Sequence, residues 1–89
     1  MNLFNEIEKL FPEIEKHLEK EKMLEKFKNI PRYELHKYHF GLGIWIRSKL
    51  LYQNQDLMDM FKANYIYEPD EMSELMTGMF HNYLNTPRC

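Results

Sequence analysis

The sequence predicts an all-α fold, a small bundle of about four helices in a single domain. Apolar residues recur at three- and four-residue steps along most of the chain, which is the pattern of helices with one buried face. The first thirty residues are dense in Glu and Lys and contain no glycine, a composition with high helix propensity. A length of 89 residues, 44% of them hydrophobic and 29% charged, fits one folded domain with a modest core.

The chain divides into three parts by composition. Residues 1–30 form a Glu/Lys-rich N-terminal helix or helix pair, residues 31–84 a motif-bearing core, and residues 85–89 a tail. Asn2 is placed to cap the first helix, and Pro12 predicts a break or kink because it suits only the first turn of a new helix.

The second long helix is predicted from Arg32 or Tyr33 to Leu51. Pro31 ends the preceding segment, since proline disfavours a helical residue before it and has no amide hydrogen to donate. Gly41 and Gly43 each cost up to about 1 kcal/mol in such a helix relative to alanine. We therefore expect another backbone or a large ring to approach these glycines closely.

Two further helices follow a polar connector. Asp56 is placed to cap a short third helix that includes Leu57 and Phe61. The next segment, residues 64–69, is predicted to be a loop carrying two tyrosines. Pro69 and Asp70 then supply a stop and an N-cap for a last helix from about Glu71 to Leu84.

The charge pattern argues against several classes of function. The net charge is −2, and residues 56–89 hold six acids against two bases. No block is basic enough for a nucleic-acid footprint, and no apolar run approaches the roughly 20 residues that span a bilayer. The first residues lack a signal-peptide pattern, so a cytoplasmic protein is expected. The only cysteine, Cys89, ends the chain and cannot form an internal disulfide.

No catalytic or metal-binding constellation stands out. His36 and His39 lie three residues apart and, with His81, are the best candidates for a metal, but no third ligand stands at a diagnostic spacing. Ser48 and Ser73 lack a neighbouring His–Asp pattern. The sequence therefore predicts no enzyme, no metal site and no cofactor.

Arg47 is the polar residue most in need of an explanation, because it follows an apolar run that contains the only tryptophan, Trp45. The structural interpretation is an ion pair with Asp70 or Glu71, which would join the second helix to the start of the last. Stacking on an aromatic ring or contact with a partner are the alternatives.

The segment Tyr38-His39-Phe40-Gly41-Leu42-Gly43-Ile44-Trp45-Ile46-Arg47, followed by Pro69-Asp70-Glu71-Met72-Ser73, resembles a family of small uncharacterised bacterial proteins. Those chains share a His-Phe/His-Gly-Leu-Gly-x-x-Ile-Arg segment and a Pro-Asp-Asp-Met-Ser segment. The resemblance covers residues 35–84. It implies a shared fold and a bacterial or phage origin, and it implies no reaction.

The preferred hypothesis is a small non-catalytic inhibitory binding protein, most plausibly a toxin-immunity protein that neutralises a cationic protein partner by occlusion. Small size, the missing catalytic set and the acidic C-terminal third motivate it. The expected contact surface, named the acidic surface, consists of six acids and two tyrosine anchors: Asp56, Asp59, Tyr65, Tyr67, Glu68, Asp70, Glu71 and Glu74.

Three alternatives stay open. A small-ligand or catalytic domain would use a face containing His39, Trp45 and Arg47, with Arg47 holding an anion and His39 acting as base. A phage-encoded inhibitor of a host defence protein would share the occlusion mechanism. A homodimer could form through the methionine-rich last helix.

Overall fold

The N-terminal third folds into three short helices in a computed structural model that describes residues 2–86. They are α1 (Leu3–Glu8), α2 (Phe11–Lys20) and α3 (Leu24–Asn29). The Asn2 side chain accepts a hydrogen bond from the Phe4 amide at 2.8 Å, so the expected cap is present. At most two helices were predicted for residues 1–30, whereas the structure has three.

The third of these helices exists because α2 ends at an unusual residue. Lys22 has φ = 58°, in the left-handed region, and the Met23 amide donates to the Leu18 carbonyl at 2.8 Å. This hydrogen bond closes a Schellman motif, which reverses the chain after a helix. Glycine is the usual residue at this position, so a lysine gives no sequence signal for the turn.

The helix predicted from Arg32 or Tyr33 to Leu51 is three consecutive pieces. A 3₁₀-helix spans Arg32–Tyr38, α4 spans Leu42–Ile46, and a π-helical turn spans Arg47–Leu51. The chain turns between the first two pieces at residues 39–41. In the π turn the Tyr52 amide donates to the Arg47 carbonyl at 2.9 Å, five residues back instead of four.

The C-terminal third contains α5 (Gln55–Ala63) and α6 (Pro69–Asn85), and a helix was predicted in both places. Both predicted N-cap residues are wrong, each by two positions. Asn54 caps α5 by accepting from the Leu57 amide at 3.1 Å, and α6 begins at Pro69 with Glu68 at the cap position. Proline is well suited to the first turn, which explains the earlier start.

One core joins all of these elements. Every helical segment contributes at least one buried apolar side chain to it, and α6 contacts α3, the 3₁₀-helix, α4 and the π turn. The all-α prediction is confirmed, but the described residues contain six α-helices where about four were expected. Of the predicted tail, Asn85 still belongs to α6, and residues 87–89 with Cys89 lie outside the described part of the chain.

The lengths and hydropathies of the helices bear on membranes. Within residues 2–86, none of the helices combines the length and apolar character needed to cross a bilayer.

Candidate functional site

Arg47 links the middle of the chain to the start of α6. Its Nη1 atom donates to the Ser73 hydroxyl at 2.8 Å and lies 3.5 Å from the Asp70 carboxylate. His39 reaches the same carboxylate from the other side, with its Nε2 atom 3.9 Å from Asp70. These four residues are called the Arg47 cluster. The ion pair expected between Arg47 and Asp70 is therefore present, and Glu71 takes no part in it.

Gly43 makes room for the arginine. A helical side chain leans toward the N-terminus, so Arg47 lies over the residue one turn before it. A Cβ atom on Gly43 would stand 3.3 Å from Arg47 Nη1 and 3.5 Å from the Tyr38 carbonyl. A close approach is thus present at Gly43, although the tightest contact is with the Arg47 side chain and not with the backbone or large ring that was predicted. The prediction is wrong at Gly41, where an added Cβ would meet no atom within 4 Å of those described.

The hydrogen bonds of the Arg47 cluster are those of a structural contact, because the polar groups of Arg47 and Ser73 already have partners within the chain. The Ser73 hydroxyl accepts from Arg47 and donates its one proton to the Asp70 carbonyl at 3.0 Å. A serine nucleophile needs a neighbouring base to take that proton, and here a main-chain carbonyl already holds it. Only 11% of the Arg47 side chain is exposed, against 66% for Asp70, so the arginine is enclosed while its acid stays in water.

The face proposed to contain His39, Trp45 and Arg47 is divided in the structure. His39 and Arg47 converge on Asp70, whereas Trp45 stacks on His17 of α2 with ring centres 4.0 Å apart and an interplanar angle of 10°. Trp45 also lines a groove to which neither His39 nor Arg47 contributes. The alternative site is therefore split between two sides of the α4–π helix.

The remaining histidines serve local structure. His36 Nδ1 lies 3.0 Å from the Tyr33 carbonyl, and His81 Nε2 lies 3.0 Å from the Ile30 carbonyl, where it joins α6 to the end of α3. Among residues 2–86 no group of three or more His, Cys, Asp or Glu side chains is arranged to bind a metal ion.

The acidic surface extends over α5, the following loop and the start of α6. Asp56 and Asp59 lie exposed on α5, where Asp59 accepts a hydrogen bond from Gln55 at 2.8 Å. The other acids are exposed near the N-terminus of α6, the positive end of the helix dipole: Glu68, Asp70, Glu71 and Glu74. Asp70 differs from the rest because it also belongs to the Arg47 cluster.

Tyr65 is the most unusual residue of this surface. It has φ = 66° and closes a second Schellman motif, in which the Ile66 amide donates to the Phe61 carbonyl at 3.0 Å. A bulky side chain rarely adopts this conformation, which costs an L-residue roughly 1–2 kcal/mol. The Tyr65 side chain is also 82% exposed, so no packing compensates for that cost. Tyr67, two residues later, is 59% exposed.

The groove beside Trp45 has a volume of about 800 Å³ and separates α2 and α3 from the 3₁₀-helix and α4. Its apolar lining comes from six side chains: Leu18, Met23, Ile30, Leu42, Ile44 and Trp45. Tyr38 also lines it, and burial raises the pKa of the Tyr38 hydroxyl above its usual value. A smaller pocket of about 320 Å³ lies between the 3₁₀-helix and α6, with His39 and Ser73 in its lining.

His17 and the lysines of this groove were not predicted from the sequence as site residues. One signal was available: at about 100° per residue, positions 45 and 47 of a helix point about 200° apart, so Trp45 and Arg47 could not share a face. The stacking partner of Trp45 could not be predicted from the sequence, because His17 lies on a helix whose orientation depends on the turn at Lys22.

No similarity was found between this chain and a curated protein or a solved structure. One family model does match, over residues 5–84, and that range includes both segments joined by the Arg47 cluster. Because this match covers most of the chain, the protein belongs to the family described as Domain of unknown function (DUF6794).

Proposed function

We propose that this protein is a small non-catalytic binding protein that inhibits a cationic protein partner by covering its functional surface. The exposed Tyr65 in a left-handed conformation, followed in sequence by the acids Glu68 and Asp70, is the observation that carries the proposal. An immunity protein against a bacterial toxin, acting in the cytoplasm, is the most specific form of it. A phage-encoded inhibitor of a host defence protein is the alternative form.

Tyr65 supports binding because the Schellman motif accounts for its backbone conformation but not for an exposed aromatic side chain at this position. Left-handed conformations of non-glycine residues persist where the surrounding structure enforces them and are frequent at functional sites, and interface anchors are often aromatic. Tyrosine brings a large apolar ring and a polar tip with few rotatable bonds, so little entropy is lost when a partner covers it. Tyr67 offers a second exposed ring in the same loop.

The exposed glutamates make the acidic surface negatively charged. Glu68, Glu71 and Glu74 are exposed near one helix start, next to the tyrosine loop. Clustered charge of one sign accelerates encounter with a partner of the opposite sign and disfavours acidic competitors. This favours a partner with a basic functional cleft, which fits inhibition by occlusion. The Arg47 cluster supports the same view, since its serine already donates its proton to the Asp70 carbonyl.

The first test substitutes the two left-handed residues by asparagine. Asparagine tolerates this conformation better than other non-glycine residues, so Tyr65→Asn and Lys22→Asn should both leave the free energy of unfolding within about 0.5 kcal/mol of wild type or raise it slightly. For a partner captured from native host lysate and then purified, Tyr65→Asn should weaken binding at least tenfold. Lys22→Asn, the matched control, should leave the dissociation constant unchanged. Equal affinities for both variants would remove Tyr65 from the interface.

The second test reverses charge on the acidic surface, and urea unfolding checks the fold because lysine is unfavourable at the positive end of the α6 dipole. Asp70 is unsuitable because its reversal would also break the ion pair with Arg47. The triple variant Glu68→Lys, Glu71→Lys, Glu74→Lys should weaken association at least tenfold and reduce its dependence on salt. Its control reverses three exposed acids of the N-terminal helices, Glu13, Glu19 and Glu25.

Capture of a protein is not sufficient support by itself. The proposal requires that the captured partner lose its activity at a 1:1 ratio with this protein, and that the two variant sets differ as described. A partner that stays active in the complex would contradict inhibition, and equal effects of both triple variants would contradict the acidic surface.

A further inference from the structure

We propose that the groove beside Trp45 binds an amphipathic anion, a molecule with one apolar chain and a terminal carboxylate. This site is separate from the acidic surface, since the groove and that surface have no residue in common. The inference does not depend on the proposed function. It rests on the volume of the groove, the apolar character of its floor and the charges at its rim.

The floor of the groove suits an apolar chain. Leu18 and Leu42 are buried beneath it, at 2% and 4% exposure, and Ile30 and Met23 are partly buried along it. A volume of about 800 Å³ lies within the range of 300–1,000 Å³ that is typical of small-molecule sites. Filling it would remove apolar surface from water, which is the main favourable term in binding such a chain.

One wall is preorganised by the stacked pair of Trp45 and His17. The near-parallel rings fix the orientation of the indole, so little side-chain entropy is lost when a ligand contacts it. Ile44 continues this wall and is 45% exposed, an apolar side chain facing water at the edge of a concave surface. Ile44 therefore extends the apolar surface of the groove toward its opening.

The rim selects the charge of the ligand. Three lysines from three different elements line the groove: Lys26 from α3, Lys37 from the 3₁₀-helix and Lys49 from the π turn. Lys37 pairs with Glu34. Within residues 2–86 the ammonium groups of Lys26 and Lys49 have no ion-pair partner, and Glu21 is the only other acid of the lining. A carboxylate is therefore the complementary group.

The test uses Trp45 as its own reporter, because it is the only tryptophan of the chain and lines the groove. Dodecanoate, below its micelle-forming concentration, should change the tryptophan fluorescence in a saturable way. Calorimetry should give one molecule bound per chain. Dodecyltrimethylammonium, which has the same chain and the opposite charge, should bind at least tenfold more weakly, and dodecanol should fall between them.

Lysine variants distinguish selection for a negative charge from non-specific hydrophobic binding. The double variant Lys26→Ala, Lys49→Ala should weaken dodecanoate binding about three- to tenfold, the range of two partly screened ion pairs, and leave dodecanol binding unchanged. The matched control changes two exposed lysines outside the groove, Lys16→Ala and Lys62→Ala, and should keep wild-type affinity.

A variant of the wall tests the position of the ligand. Ile44→Glu introduces a negative charge at an already exposed position, so the fold should tolerate it, and dodecanoate binding should be lost. Circular dichroism and urea unfolding check that each variant is folded. Equal affinity for the carboxylate and the ammonium, unsaturable binding, or equal effects of the two lysine pairs would each overturn the proposal. So would binding of an acidic amphipathic peptide in place of dodecanoate, which would identify a protein-docking groove.

Discussion

The two sides of the α4–π helix make opposite use of their polar and aromatic residues. On the side facing α6, Arg47 is enclosed and bonded to Ser73 and Asp70. On the side facing α2, Trp45 is stacked on one ring only and stands beside an open groove with two lysines that have no ion-pair partner within residues 2–86. A polar group whose hydrogen-bond and ion-pair partners lie within the chain stabilises the fold. A polar group without such partners is available to bind a ligand.

The contrast arises from two residues only two positions apart. On a helix, positions 45 and 47 point about 200° from each other. Gly43 then decides which side is closed, because its missing side chain lets Arg47 lie flat and reach α6. Substitutions on each side should show how much stability belongs to the closed side and how little to the open side.

The largest expected effect comes from Arg47→Ala. It removes the donor to the buried Ser73 hydroxyl, the ion pair with Asp70 and the packing of the arginine stem. A hydrogen bond from a charged group contributes about 1.5–3 kcal/mol, and the ion pair adds under about 1 kcal/mol because Asp70 is well solvated, so we expect about 3 kcal/mol. Urea unfolding measures it.

The control for this variant is Arg32→Ala, an exposed arginine of the 3₁₀-helix, which should change the free energy of unfolding by about 0.5 kcal/mol or less. A double-mutant cycle of Arg47→Ala with Ser73→Ala should yield a coupling energy of about 1 kcal/mol. If Arg47→Ala cost no more than Arg32→Ala, the closed side would contribute nothing special to stability.

A smaller effect is expected from Gly43→Leu. The new side chain would meet Arg47 and the Tyr38 carbonyl, and overpacking of this kind costs about 2 kcal/mol. Gly41→Leu is the matched control, because its Cβ meets no described atom within 4 Å. Equal stabilities for the two leucine variants would mean that the arginine does not need the space at Gly43.

The smallest effect concerns Tyr38 in the wall of the groove. Burial raises its pKa in the folded protein above the usual value of 10.0, so the unfolded chain loses the phenolic proton first. The stability contributed by the neutral phenol is complete below pH 10 and declines as the pH rises above it. Between pH 9 and pH 11, the free energy of unfolding of Tyr38→Phe should therefore decrease less than that of wild type. The difference between the two decreases, measured by urea unfolding, should be under about 1 kcal/mol. Parallel losses would indicate a hydrated phenol.

Much of the fold was predictable from periodicity and composition. The all-α class and the position of α6 followed from apolar spacing, and α6 extends only two residues earlier and one later than predicted. The division of the middle helix was not predictable, because three-residue steps such as Leu35 to Tyr38 fit a 3₁₀-helix and an α-helix equally. The turns at Lys22 and Tyr65 were hidden because neither residue is a glycine.

The site was predictable only where chemistry limits the choice of partner. An arginine after an apolar run needs an acid, and the acids at the start of α6 were the obvious candidates. The groove was not predictable, since it depends on where α2 and α3 lie against α4, and that geometry comes from the turns that carry no signal.

The π turn at Arg47–Leu51 has a consequence for comparing relatives of this chain. Such a turn holds one residue more than a regular helix would need between the same two ends. Deleting one residue there would restore α-helical hydrogen bonding, while the residues before the turn and those after it would keep their relative orientation. A single-residue gap between positions 47 and 52 in an aligned relative would then be compatible with an arginine that still faces α6.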